Sequence, residues 1–263
     1  MRVVLVAVAV LVSLGTLTGL GVVAFGLAGS RVVTDSRTLP AGMRSLTVDT
    51  GGIPLPVRLT TDVDAVAPRI DLRMVTRTDN TRLAVVTDDV ESRVTLGDSG
   101  SGLLWFNGTG EVQVVLPPDL ARGLSVTIKR AGSLSADADL DRLIAKIDDG
   151  NVTIGGSARL IDVDVRHGDI ATSNRITITE SFRATSEFGN ITVEFRRAPR
   201  TTEAIAGGNV TVRLPGSGAY RVRAQSERPN SDTTVTVPET TESSAPAVTA
   251  RSRSGNVRVT EIR

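Results

Sequence analysis

One short motif recurs five times in the second half of this 263-residue chain, and its spacing limits what the chain can fold into. Each copy is a Gly, then Asn or Asp, then an alternating apolar stretch. The copies are Gly150-Asn151-Val152-Thr153-Ile154, Gly168-Asp169-Ile170-Ala171-Thr172, Gly189-Asn190-Ile191-Thr192-Val193, Gly208-Asn209-Val210-Thr211-Val212 and Gly255-Asn256-Val257-Arg258-Val259. Successive glycines stand 18, 21, 19 and 47 residues apart. A period near twenty with one strand per copy predicts an all-β, single-stranded parallel β-solenoid, a β-helix-like stack of coils. Gly accepts positive φ without steric cost, and Asn or Asp tolerates the left-handed region, so the pair reads as a turn. The residues after it alternate, which sends successive side chains to opposite faces of a strand. Ile191, Val193 and Phe195 share one face, and Thr192 and Glu194 share the other. A β-sandwich is the competing fold, but its hairpins would place turns about every 8–12 residues.

The 47-residue interval predicts one degraded copy. Asn230-Ser231-Asp232 supplies a turn and Val235-Thr236-Val237-Pro238 repeats the alternation. Alternation also appears at Leu46-Thr47-Val48, Val57-Arg58-Leu59, Ile70-Asp71-Leu72-Arg73 and Val112-Gln113-Val114, without the Gly-Asn turn. These stretches are expected as irregular coils or an N-terminal β-cap. The expected organisation is an anchor or signal-like segment over 1–30, a linker over 31–43 and a β-solenoid over 44–263, regular over 124–263. The Gly-rich run Gly97-Asp98-Ser99-Gly100-Ser101-Gly102 and the Thr/Ser/Pro-rich run from Glu239 to Ala247 read as loops of that one domain.

The Gly-Asn/Asp-Ile/Val-x-Val/Ile series, the Leu214-Pro215 end and the closing Ser254-Gly255-Asn256-Val257-Arg258-Val259 resemble the bacterial putative-adhesin domain of unknown function, also called the toastrack domain. The resemblance covers about residues 124–263 best and 40–123 less closely. It implies a β-solenoid-like fold, an extracytoplasmic or membrane-tethered location, and a role in adhesion or envelope-stress signalling. It brings no catalytic residues with it.

Val3 to Ser30 is a run of 28 residues without a charge. At about 1.5 Å per residue such a helix exceeds the roughly 30 Å hydrocarbon core, so one N-terminal transmembrane helix is expected. A cleavable signal peptide, with Gly26-Leu27-Ala28 as the cleavage site, is the alternative; usual apolar cores of such peptides are only about 7–15 residues. Arg2 favours a cytoplasmic N-terminus, while Arg31, Arg37 and Arg44 weaken that bias. The orientation expected is N-terminus inside, C-terminal domain outside. Gly15-Thr16-Leu17-Thr18-Gly19 also has the small-xxx-small spacing of packed membrane helices.

Thirty basic and 29 acidic side chains give a net charge of +1, which argues against a dedicated nucleic-acid binder. The local groups Arg196, Arg197 and Arg200, and Arg251, Arg253, Arg258 and Arg263, read as solvated faces that allow weak contact with anionic lipid or wall polymer. Cysteine is absent, which removes disulfides, thiolate zinc and cysteine catalysis together. Arginine outnumbers lysine 28 to 2. Aromatic residues make up 3%, too few for a stacking platform on single strands, and Trp105-Phe106 reads as a local plug.

His167 is the only histidine, so a Ser-His-Asp triad would have to use it. Asp149, Phe188, Gly207 and Ser254 occupy its position in other copies, which marks a tolerant turn site rather than a base. Asp137, Asp139 and Asp141 alternate and would share one strand face. As a calcium loop they fail, because an EF-hand needs Gly at its sixth position and Arg142 stands there. Asp148-Asp149 and Asp162-Val163-Asp164 add acidic density. Glycosidase chemistry would need two of these carboxyls about 5–9.5 Å apart. No phosphate-cradling glycine loop occurs. The expected protein is therefore a non-catalytic, membrane-anchored envelope adhesin, scaffold or stress-sensing ectodomain. It has no catalytic, cofactor-binding or metal-ligating residues. Its partners are the membrane and an envelope protein or wall polymer, not nucleic acid. A β-helix enzyme acting on envelope polysaccharide is the alternative.

Overall fold

The computed structural model describes residues 31–76, 82–88, 90–97 and 110–262. The expected membrane segment over 3–30, Trp105-Phe106 and residues 98–102 of the Gly-rich loop lie outside the described residues. The described chain is all-β. Its strands are β1 (Arg31–Thr38), β2 (Ser45–Asp49), β3 (Pro56–Thr61), β4 (Arg69–Thr76), β5 (Arg82–Thr87), β6 (Glu91–Gly97) and β7 (Gly110–Leu116). A single-turn helix α1 (Pro118–Ala121) follows, with Pro in its first turn, where a missing N–H costs nothing. Then come β8 (Ser125–Lys129), β9 (Ser133–Asp149), β10 (Val152–His167), β11 (Ile170–Thr172), β12 (Ile176–Phe188) and β13 (Ile191–Arg197). The last are β14 (Thr201–Ala206), β15 (Val210–Pro215), β16 (Arg221–Ser226), β17 (Thr233–Val235), β18 (Ala247–Ser252) and β19 (Val257–Ile262). Among the described residues no helix is long and apolar enough to cross a membrane.

Two parallel ladders organise these strands. One runs β6, β2, β8, the second half of β9, the second half of β10, β12, β14, β18, β16. The other runs β7, β3, the first half of β9, the first half of β10, β11, β13, β15, β19, β17. Each repeat thus supplies two ladder positions, where the sequence motif alone implied one strand per copy. The Gly-Asn turn marks only one corner of the repeat. At the other corner β9, β10 and β12 bend while staying paired, helped by a register shift between Ala158 and Leu160. The alternation there continues without a turn signature.

Neither end follows chain order. Strands β18–β19 insert between β14–β15 and β16–β17. The degraded copy around Val235 is therefore in the stack, but as its outermost rung. At the other end β2–β3 lies between β6–β7 and β8–β9. Antiparallel pairing is confined, among the described residues, to this N-terminal end: β5 on β6, and β1 on β4 on β7. Residues 31–38 fall in the stretch expected as a linker, and they form the edge strand β1.

The core follows from register. Val112, Val57, Leu134, Val152, Ile170, Ile191, Val210 and Val257 align in successive rungs, each almost fully buried. In the other ladder Ser92, Leu46, Val126, Leu143, Ile161, Phe182, Thr202, Val248 and Val222 align. β-Branched and aliphatic residues suit these positions because each packs on its equivalent one strand away, about 4.8 Å distant. Phe182 and Phe195 meet edge to face across the ladders with centroids 5.2 Å apart. Neighbouring positions in that part of the stack, Ala184, Ala204 and Ala250, are correspondingly small. Tyr220 and Val237 join the core at the C-terminal end, where the Tyr220 hydroxyl donates to the Pro215 carbonyl at 2.6 Å.

Candidate functional site

The repeated corner is a continuous hydrogen-bonded column. The Asn151 Oδ1 accepts from the Asp169 backbone N–H at 2.9 Å. Asp169 Oδ1 accepts from the Asn190 N–H at 2.7 Å and its Nδ2 at 3.0 Å. Asn190 Oδ1 accepts from the Asn209 N–H at 2.8 Å and its Nδ2 at 3.1 Å. Asn209 Oδ1 accepts from the Asn256 N–H, and Asn256 Oδ1 from the Asp232 N–H, each at 2.9 Å. Every residue after the motif glycine therefore binds the next rung. The glycines stack beside them. A Cβ on Gly150 would lie 1.5 Å from the Gly132 carbonyl oxygen, one on Gly168 2.2 Å from that of Gly150, and one on Gly189 2.0 Å from that of Gly168. Positive φ accompanies this at Gly150 and Gly168, but close approach is the reason common to the column. Gly132-Ser133-Leu134-Ser135-Ala136 is a further copy that the Gly-Asn/Asp pattern passes over, since Ser replaces Asn. The alternation after Gly132 was the available signal.

His167 lies in an exposed column between Asp149 and Phe188. Its Nδ1 is 2.9 Å from Asp149 Oδ1, and its ring stacks on Phe188 at 5.0 Å. Of the equivalent positions named from the sequence, Asp149 and Phe188 flank His167 as stacked corner residues. No serine shares the column between Asp149 and Phe188.

The carboxylates do not converge. Asp137, Asp139 and Asp141 point outward from the first half of β9. Asp162 and Asp164 align with Ile144 and Lys146, further along the coil and in the other ladder. Asp139 accepts from the Ser157 hydroxyl at 2.7 Å. Asp141 receives the fork of Arg159 at 2.8 and 3.0 Å, and Arg159 also reaches Glu180 at 2.7 Å. The hydrogen bonds from Arg159 hold the Asp141 carboxyl below its ordinary range, and those same partners raise the pKa of Arg159. At the N-terminal end the Arg130 fork likewise lowers the pKa of Asp49, at 2.8 and 2.6 Å. Among the described residues no cluster of three His, Asp or Glu side chains is placed to hold a metal ion.

Several grooves line the stack, and two of them bear on the candidate residues. One, of about 760 Å³, opens where the 21-residue repeat loops out at Ser173-Asn174-Arg175, beside Asp139, Ser157, Thr177, Glu194 and Arg196. Glu194 there pairs with Arg213 of the next rung. The other, of about 620 Å³, lies at the C-terminal end against β16, between Arg221, Arg223 and the Glu239-Thr240-Thr241 segment.

No protein-family model matches the chain, and no curated protein matches it. Solved structures do match. Several of them are named as putative adhesins. A putative cell adhesion protein from Clostridium sporogenes ATCC 15579 is 11% identical over 88% of this chain and 100% of that one, with a TM-score of 0.37. A putative adhesin from Bacteroides fragilis NCTC 9343 is 13% identical over 88% and 97%, at 0.41. A protein from Parabacteroides distasonis ATCC 8503, named as a putative lipid binding protein, is 11% identical over 88% and 97%, at 0.40.

In chemical terms each side chain of the corner column commits its Oδ1 to the next rung. The His167 column has a carboxylate and an aromatic ring but no aligned nucleophile. What the stack presents outward is polar rows in fixed register, of which Thr153, Ala171, Thr192, Thr211, Arg258 and Thr234 form one.

Proposed function

We propose that the chain is a single-pass, membrane-anchored β-solenoid whose 44–263 domain stands outside the cytoplasm as an adhesin-like envelope scaffold, without catalysis of its own. Residues 1–30 anchor it, and residues 31–43, which include the edge strand β1, lead from the anchor into the domain. The observation that carries this reading is the pair of parallel ladders in continuous register. Such a stack is rigid and repetitive, and offers rows of Thr and charged side chains about 4.8 Å apart to an extended partner. The uncharged run from Val3 to Ser30 supports the anchor.

Two measurements on the full-length chain test the reading. Alkaline carbonate extraction of membranes leaves the protein in the pellet, and protease added to intact spheroplasts removes the 44–263 domain. Release by carbonate, or protection in spheroplasts that becomes sensitivity on lysis, rejects it.

A further inference from the structure

Charge is distributed unevenly along the stack. Residues 44–195 carry 16 basic and 22 acidic side chains, whereas residues 196–263 carry 11 and 6. Rungs climb the stack broadly in chain order, so this asymmetry in sequence becomes a polarity in space, with the basic end opposite the one that carries β1. Pairing sharpens it. Among the described residues, arginines at 58, 69, 93, 122, 130, 159, 166 and 183 each face a carboxylate. Of the ten arginines at 196–258 only Arg213 does so.

Two of these unpaired arginines, Arg221 and Arg223, line the C-terminal groove. Arg221 and Arg223 alternate along the outward face of β16, about 6.7 Å apart by strand geometry. Arg251 of β18 aligns with Gln225, one step further along the same face. Arg221 Nε donates to the Ala245 carbonyl at 3.2 Å, which fixes the direction of its guanidinium. Arg223 aligns with Thr249 and, one rung on, with Glu203; that carboxylate is already paired with Arg183 at 3.6 Å. Thr240, Thr241 and Glu239 form the opposite wall.

We propose that this groove binds an extended anionic polysaccharide. The guanidinium groups take the anionic groups, and the threonine hydroxyls with Glu239 take sugar hydroxyls. The groove is an edge cleft rather than a flat face. The exposed large apolar side chains of the described residues, Val32, Val63, Val66, Val86, Val90 and Phe188, all lie outside it. It therefore lacks the apolar anchors that a bilayer-docking surface would insert. It also lacks aromatic platforms for stacking bases. The inference rests on the envelope reading for the polymer's presence, but its test does not depend on where the chain resides.

The test uses the full-length chain in detergent with four probes: alginate, neutral dextran of similar length, duplex DNA, and phosphatidylglycerol vesicles. Alginate binds and dextran does not. With three arginine contacts and a slope of about −0.7 per contact, raising salt from 50 to 200 mM weakens alginate binding about 20-fold. The variant Arg221→Gln/Arg223→Gln/Arg251→Gln binds alginate at least 10-fold more weakly at 50 mM salt. The corresponding three Arg→Lys substitutions stay within about threefold. A charge-matched control, Arg122→Gln/Lys146→Gln/Arg166→Gln, also stays within about threefold. The two groove arginines and the adjoining Arg251 are exposed, so unchanged circular-dichroism melting checks the fold. Equal losses in the groove variant and the control would overturn the proposal, as would an absence of alginate binding. Vesicles or DNA bound through the same arginines as tightly as alginate would overturn it too, in favour of a membrane or nucleic-acid contact.

Discussion

The side-chain column at the repeated corner makes a graded prediction. Asn190 takes part in three of its hydrogen bonds: Nδ2 donates to Asp169, and Oδ1 accepts from the Asn209 N–H and Nδ2. Asn151, at the column's start, takes part in one, with the Asp169 N–H. A net hydrogen bond contributes about 0.5–1.5 kcal/mol, and at a corner open to water the lower half of that range applies. Asn190→Ala is then expected to cost about 2 kcal/mol and Asn151→Ala about 0.7. For a domain of this size, 1 kcal/mol shifts the melting temperature by about 2–4 °C, so the falls are about 4–8 °C and about 2 °C. Thermal melting of the full chain, followed by circular dichroism in non-ionic detergent, reads both. Asn190 and Asn209 share one bond, so the double Ala variant should cost about 0.7 kcal/mol less than the sum of the singles. Asp169→Asn keeps the accepting oxygen and should move the midpoint by under about 2 °C. Equal falls for Asn151→Ala and Asn190→Ala, or strict additivity of the double variant, would refute the claim that the motif's second residue acts by binding the next rung.

Three further expectations come from the same geometry. Gly189→Ala places a Cβ 2.0 Å from the Gly168 carbonyl oxygen and should cost about 3 kcal/mol, whereas Gly42→Ala meets nothing within 4 Å and should change stability by less than about 0.5 kcal/mol; comparable melting temperatures for the two would contradict this. The Thr202 hydroxyl is buried without a partner between Phe182 and Val248, so Thr202→Val should stabilise by about 1 kcal/mol, read as a higher urea midpoint, with a lower one counting against it. Asp141 has a folded-state pKa below the ordinary 3.8, so its ion pair stabilises fully above that value and is lost as pH falls through the depressed one; the wild-type urea midpoint should drop more steeply than that of Asp141→Asn below about pH 4, and superimposable pH curves would show that Arg159 contributes nothing.

Much of the regular half was legible because the code there is local. The alternation of Ile191, Val193 and Phe195 gives the buried face, and the glycine spacing gives the period. Even so, the motif's chemistry was read as turn formation, whereas Gly189, Gly208 and Gly255 are required by the neighbouring rung's backbone. That neighbour is nineteen or more residues away, or out of order, so no local pattern reports it. The second ladder was missed for a related reason: β12 passes its corner without breaking, and Thr185 and Ser186 look like any alternating stretch. The candidate chemistry was legible mainly as exclusion. Asp137 and Asp139 do share a face, but only the register shows Asp162 and Asp164 placed elsewhere. Arg221 and Arg223 of the groove and the adjoining Arg251 looked like scattered charge, because Arg251 comes beside β16 only through the inserted strand β18.

That insertion bears on how the stack ends. A simple stack would finish in open strand edges, which invite pairing with other chains. Here the outermost C-terminal rung, β16–β17, is held by β18–β19, and the outermost N-terminal rung, β6–β7, is held by β2–β3. Neither outer rung can leave without uncovering a strand that belongs to a different part of the sequence, so each end is tied to the interior by a long-range contact. The edges that remain are blunted in two ways: β17 is only three residues long, and β16 carries Arg221 and Arg223. Charge on an edge strand discourages a second neutral strand from adding, but it does not discourage a polyanion. The arrangement that keeps the C-terminal edge from self-association therefore leaves it selective for partners of opposite charge, and this favours a basic groove at the end of the stack over its sides, where arginines such as Arg58, Arg159, Arg166 and Arg183 are already matched by carboxylates.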